Sequence, residues 1–184
     1  MNPNVTDAER LERHASLVQF LNDQMALGAP QIHDPVVMIR REAIVIGDGS
    51  RIDSFVKLEG GERLIIGRYV HIASFAHIGI GGGEVLIEDF AAVASGAKII
   101  SGSNQVDAQT MSACAPGYMQ HVQRKKTIIS RYATVLTNAV VLPGVTLHEG
   151  AVLAAGGVAT RDIPAWEIWG GVPAKFMAKR EVTP

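Results

Sequence analysis

The residues of this sequence with chemistry to offer are six histidines, a polar run at Ser103, Asn104, Gln105 and Asp107, and a basic cluster of Lys175, Lys179 and Arg180. Histidine is the side chain best suited to exchange a proton near neutral pH. His71 and His77 stand in VHIASFAHI, each immediately before an aliphatic residue, and are the candidates for a general base. His14 and His33 fall in an N-terminal stretch and a connector, His148 at a turn position, and His121 in the basic segment QHVQRKK. Asn104 can orient an amine or a hydroxyl but takes no proton at neutral pH. The single cysteine, Cys114 in SACAPG, has no basic neighbour in sequence to activate it and reads as a loop residue.

What must position these residues is a repeat. Aliphatic residues recur every sixth place at Ile46, Ile52, Leu58, Ile66, Ile72, Ile78, Ile87, Val93 and Ile99, and again at Ile129, Val135, Val141, Leu147 and Leu153. Four places beyond each, the residue is small or β-branched: Ser50, Val56, Val70, Ala76, Gly82, Ala91, Ala97, Ser103, Ala133, Ala139, Val145, Ala151 and Gly157. Only Glu62 breaks that rule. Neither a simple strand nor a helix gives period six. A coil of three short strands does, with the aliphatic inside a triangular prism and the small residue in its corner. Strands stacked about 4.8 Å apart then satisfy one another's backbone groups. The beat fails over residues 101–127, so the sequence predicts one long loop there.

Residues 1–35 differ in kind. Thr6, Asp7, Ala8 and Glu9 resemble a capping box, and Leu11, Val18, Leu21 and Met25 share one helical face before Gly28 and Pro30, which predicts a short N-terminal helix and a connector. The coil is expected over 36–164, and a capping segment with a C-terminal helix over 165–184. Trp166 and Trp169 would cap the open end of the aliphatic column.

With 184 residues, 47% hydrophobic, and a formal net charge of -1, the composition fits one soluble domain and excludes a nucleic-acid binder that works by overall basicity. The N-terminal stretch lacks the pattern of a secretory signal, and no apolar run reaches the length of a membrane span. A cytoplasmic protein without nucleic-acid or membrane partners is expected.

The repeat, together with VVLPGVTLHEGAVLAAGGVATRDIPAWEIWGGVPAKFMAKR at 140–180, resembles the left-handed β-helix hexapeptide-repeat acyltransferases, and most of all the bacterial sugar O- and N-acyltransferases of polysaccharide biosynthesis. The resemblance implies an all-β left-handed parallel β-helix and a homotrimer with active sites between prisms. It implies acetyl-CoA, or another short acyl-CoA, as co-substrate, no metal, and a sugar or sugar nucleotide as acceptor. Matched to the family's motif, Thr137, Ala155 and Thr160 lie beside coenzyme A, with Lys175, Lys179 and Arg180 at its phosphates. The family's catalytic histidine or acidic residue falls where coil gives way to loop. That slot reads Gly102-Ser103-Asn104 here, so Asn104 joins the catalytic candidates, and Ser103, Gln105 and Asp107 are expected to touch the acceptor. Three readings stay open: His71 or His77 supplies the base, an amine acceptor needs none, or the site is inactive. The rival functions are a non-catalytic trimeric β-helix module and a γ-type carbonic anhydrase. The latter needs a three-histidine zinc site with two histidines at a spacing of five, whereas His71 and His77 are six apart.

Overall fold

The computed structural model describes residues 28–182. The chain winds through three parallel sheets that form the sides of a prism. The first face stacks Gln31–Ile32, Arg51–Ile52, His71–Ile72, Ala92–Val93, Thr134–Val135, Val152–Leu153 and Glu167–Gly170. The second stacks Val37–Ile39, Lys57–Glu59, His77–Ile80, Lys98–Ile100, Val140–Val141 and Val158–Ala159. The third stacks Ile44–Ile46, Arg63–Ile66, Glu84–Ile87, Lys126–Ile129 and Thr146–Leu147. This is the parallel β-helix that the six-residue period predicts.

The period works because each rung places its aliphatic directly over that of the rung below. Ile52 registers with Ile72, Ile72 with Val93, and Val93 with Val135. Ile52, Leu58, Ile66, Ile72, Ile78, Ile87, Ile99, Ile129, Leu147 and Leu153 are all fully buried. Each contributes roughly 1.5–3 kcal/mol relative to exposure. Backbone groups leaving one rung bond to the next, as in His77 N–H to Ala97 carbonyl at 3.0 Å.

The small residues fill two of the three corners as expected, with Val56, Val70, Ala76, Ala91, Ala97, Ala133, Ala139 and Ala151 buried. At the corner between second and third faces Val145 is buried as expected, but Gly82 is half-buried and Ser103 exposed. Insertions there shift the buried polar positions to Ser101 and Thr127. The Ser101 hydroxyl accepts from Gly83 N at 3.0 Å, and that of Thr127 donates to the Ile100 carbonyl at 2.7 Å. Both are satisfied, which is why they survive burial.

The expected C-terminal helix is not formed. Glu167–Gly170 and Lys175–Lys179 are strands paired antiparallel. The turn between them contains Gly171 at φ 89 and Pro173, a combination that reverses the chain and cannot start a helix through Gly170. The helix-favouring composition of AKFMAKR yields to the open edge of the first face. The expected N-terminal helix lies outside the described residues. Trp169 packs against the end of the aliphatic column. Trp166 instead joins a ladder of rings, Tyr69, Phe90 and Tyr132, that climbs the corner between third and first faces with centroids 5.2, 5.4 and 6.3 Å apart.

Candidate active site

Two features bracket the second face. The corner it shares with the first face carries a vertical row of short side chains, Ser54, Ser74, Ser95, Thr137 and Ala155. Each precedes a residue at positive φ: Phe55, Phe75, Gly96, Asn138 and Gly156. Backbone bonds lock the row, with Gly96 N–H on Ser74 O at 3.1 Å, Asn138 N–H on Ser95 O at 3.0 Å, and Gly156 N–H on Thr137 O at 2.9 Å. Thr137 and Ala155 are therefore stacked neighbours, both exposed. Short side chains leave a shelf along which an extended chain can lie close to the backbone.

At the opposite edge of the second face the long loop leaves as an antiparallel hairpin, Gly102–Asn104 with Val122–Arg124. Asn104 Nδ2 donates to the Met111 carbonyl at 2.7 Å, so its amide nitrogen holds the loop. The Ser103 hydroxyl donates to the Asn104 carbonyl at 3.1 Å, and Gln105 Nε2 to the Ser103 carbonyl at 3.3 Å. Asp107 pairs with His121, Oδ1 to Nδ1 at 2.8 Å. The four polar candidates of the loop thus form one cluster at its base, and His121 belongs with them. Sequence reasoning left His121 aside because a loop has no register from which to infer a partner.

His77 lies on the second face between these features, two residues beyond Phe75. Its Nε2–H donates to Glu59 Oε1 at 2.7 Å, and the same carboxylate oxygen takes the Lys57 ammonium at 2.8 Å. The His77 side chain is about one quarter exposed, and Nδ1 has no partner among the described residues. Burial pushes the Glu59 carboxyl up, but Lys57 and His77 outweigh it and hold it below the usual glutamate range. The arrangement fixes one tautomer and offers the free nitrogen as a proton acceptor.

His71 repeats the pattern one face earlier, its Nε2 lying 2.9 Å from Asp53 Oδ2. Burial pushes the Asp53 carboxyl up, and the contacts with His71 and Arg51 carry it below its ordinary value. Here the Arg51 guanidinium also sits 2.8 Å from Nε2. A guanidinium only donates and a carboxylate only accepts, so that nitrogen serves one of them at a time. His71 and His77 stand on different faces, each with its own acid. The signal that could have found Asp53 and Glu59 is a basic-x-acid pair one rung before each histidine.

Of the basic cluster, Lys175 registers with Gly170 and Lys179 with Glu167, at opposite ends of the last rung. Lys175 lies toward the Thr137–Ala155 corner. Arg180 faces the other way: its guanidinium donates to the carbonyls of Tyr132 at 2.8 Å and Gly150 at 2.9 Å and covers the Trp166 ring at 5.6 Å. It clamps the aromatic corner. Thr160 is exposed just past Val158–Ala159, across the second face from Ala155.

No protein-family model matches the chain. Whole-chain comparison gives a dTDP-4-amino-4,6-dideoxy-D-glucose acyltransferase of Escherichia coli, 33% identical over 152 residues that span 82% of this chain and 79% of the relative. A chloramphenicol acetyltransferase of Agrobacterium fabrum is 24% identical over 72% of this chain and 73% of its own length. Among solved structures, a variant of AntD, an N-acyltransferase from Bacillus cereus in complex with dTDP-4-amino-4,6-dideoxyglucose and coenzyme A, superposes with a TM-score of 0.75. It is 26% identical, covering 90% of this chain and 89% of that one. A crystal structure of a maltose O-acetyltransferase from Clostridium difficile shares the fold at a TM-score of 0.57, with 18% identity over 97% of this chain and 80% of that one. An identity of 33% over 82% of this chain shows the family: the chain belongs to the acyltransferase family that contains the dTDP-4-amino-4,6-dideoxy-D-glucose acyltransferase.

Proposed function

We propose that this enzyme transfers a short acyl group from an acyl-CoA to the amino group of a nucleotide-linked amino sugar, of the kind the E. coli relative's name specifies. The observation that carries the reading is that whole-chain likeness, joined to a coil-to-loop slot filled by Asn104. A neutral amine is already nucleophilic, so an amide that orients it and a mild base suffice. A hydroxyl acceptor would need a strong base in that slot.

In this reading the pantetheine arm lies along the corner shelf at Thr137 and Ala155, with Lys175 turned toward the coenzyme's phosphates and Thr160 at the far edge of the second face. Lys179 stands at the other end of its strand, on the side of the aromatic corner, and Arg180 supports the rung beneath. The acceptor enters under the loop, where Ser103, Asn104, Gln105 and Asp107 provide hydrogen-bonding groups. Its amine attacks the thioester carbonyl, His77 Nδ1 takes the proton lost from nitrogen, and the tetrahedral adduct collapses to the amide as that proton passes from His77 to the departing sulfur, releasing coenzyme A as the thiol. Glu59 steadies the imidazolium that forms. His71 is the less suited base because its Nε2 is shared with Arg51.

Left-handed winding and a homotrimer with the loop of one copy over the shelf of another complete the reading. Exposed apolar residues on the prism, among them Val37, Ile39 and Val45, support assembly. A cytoplasmic location fits substrates whose phosphates bar them from crossing a membrane. The test is a panel of amine and hydroxyl sugars, free and nucleotide-linked, assayed with acetyl-CoA for release of free thiol. Preference for the nucleotide-linked amine is expected, and exclusive use of hydroxyl acceptors would overturn the assignment.

A further inference from the structure

Phe55 and Phe75 are the least explained residues of the coil. Both occupy the first–second corner at positive φ, 66 and 65, a conformation that strains a bulky residue and that this corner elsewhere gives to Gly96, Asn138 and Gly156. Their rings stack in parallel, with centroids 5.3 Å apart and planes 4° apart. They are nevertheless 57% and 65% exposed. At the other corner Tyr69, Phe90, Tyr132 and Trp166 make a continuous half-buried ladder that ends beneath Arg180. The Phe55–Phe75 stack instead stops after two rings. At the next level Gly96 has no side chain, and only the Asn138 carboxamide reaches over it. Packing accounts for the ladder and leaves the short stack without a purpose.

A second observation stands at the same place. Lys98 folds its ammonium back to the Gly96 carbonyl at 3.2 Å, on the level immediately above Phe75. No carboxylate lies within ion-pair distance of it among the described residues. By contrast Arg51, Lys57, Arg68 and Lys126 on neighbouring rungs each have an acid partner at 2.8 to 3.0 Å. The hydroxyls of Ser74 and Ser95, in the same corner row, make no hydrogen bond among the described residues. An uncovered aromatic face, an unpaired cation one rung above it and two free hydroxyls beside it match the parts of a nucleoside diphosphate: a base to stack, phosphates to neutralise and a sugar to hydrogen-bond.

We infer that Phe75, backed by Phe55, stacks the nucleobase of a nucleoside diphosphate whose phosphates meet Lys98. The inference rests on the nucleotide-linked acceptor proposed above and gives that acceptor a place. The nucleotide would occupy the lower rungs of the same corner whose upper rungs, at Thr137 and Ala155, take the coenzyme. The two substrates then approach each other end to end along one edge, with His77 beside their junction.

Binding of dTDP to the whole protein, measured by titration calorimetry, tests this without any turnover, and steady-state kinetics with acyl-CoA and the dTDP-linked amino sugar test it in the reaction. Phe75→Ala is expected to weaken dTDP binding and raise the acceptor KM by about five- to hundredfold, the span given by one stacked base. The KM for acyl-CoA should stay as it is. Phe75→Trp should keep the affinity, and Lys98→Gln should weaken dTDP binding while flattening its salt dependence. Phe75→Gly should melt no lower than wild type, because the ring is exposed and its backbone strained. Unchanged dTDP affinity in Phe75→Ala overturns the inference. So does dissociation of an oligomer by that variant, which would make the ring a subunit contact. Absence of acyl transfer by wild type alongside Phe75-dependent dTDP binding would instead reject the acyltransfer reaction and leave the nucleotide site standing.

Discussion

The imidazole of His77 meets the carboxylate of Glu59 on the preceding rung, Nε2 to Oε1 at 2.7 Å, and that carboxylate is held from its other side by Lys57. A parallel β-helix builds such a contact from residues a full coil apart and repeats it on another face with His71 and Asp53. Both histidines leave Nδ1 without a partner among the described residues, but only His77 stands on the face between the shelf and the loop. His77→Gln should therefore lower kcat by about a hundredfold or more, with little change in the KM of either substrate. His71→Gln should change kcat by less than about threefold. Equal losses in the two variants would remove His77 from the reaction.

Glu59 gives a signature in stability as well as in rate. Its folded-state carboxyl is held below the ordinary value near 4.5, so the ion pairs stabilise the fold above that value. The contribution fades as pH falls through the lowered folded-state value. Glu59→Gln should melt lower than wild type at pH 7, and the two melting curves should converge as the solution is acidified below about 4.5. A Tm difference that persisted at low pH would mean that packing, not charge, was lost.

Ala155 tests the coenzyme shelf. It is exposed at a corner of the coil, so a large side chain there projects outward and not into the aliphatic column. Ala155→Trp should abolish coenzyme A binding, seen as loss of the thermal shift that coenzyme A gives wild type, with the unliganded Tm unchanged within a degree or two. Retained binding would place the coenzyme elsewhere.

Asp89 ties rungs together on the far side of the prism. Its carboxylate accepts from the Arg68 backbone at 2.8 Å and guanidinium at 3.0 Å, with Arg131 at 3.8 Å. Burial raises this carboxyl, but the arginines prevail and its net position is below the ordinary range. Asp89→Asn should cost about 1–3 kcal/mol of stability near neutral pH in chemical denaturation, with kcat and KM intact. A comparable loss of activity would make this corner part of the site.

The coil was legible because its period is a physical requirement: every sixth residue from Ile52 to Leu153 must fill the same narrow interior. The acid partners of His71 and His77 were implicit in that period, since Arg51 registers with His71 and Lys57 with His77. Asp53 and Glu59 follow by alternation on the same outer face. The corner rule failed where it met insertions, because Gly82 stands in a widened turn between two rungs and Ser103 in the hairpin at the base of the long loop. The C-terminal segment was misread since AKFMAKR favours a helix in isolation, while the unpaired edge beside Glu167–Gly170 favours a strand in context. Within the loop, Asn104, Asp107 and His121 are brought together by hairpin pairing that no repeat encodes.

The most direct measurement is the mass of the acceptor after incubation of the purified enzyme with acetyl-CoA and dTDP-4-amino-4,6-dideoxyglucose. The account predicts a product heavier by one acetyl group, linked through nitrogen, formed by wild type and not by Ala155→Trp. An unmodified sugar nucleotide, from a wild-type protein whose melting is also unmoved by acetyl-CoA, would contradict it.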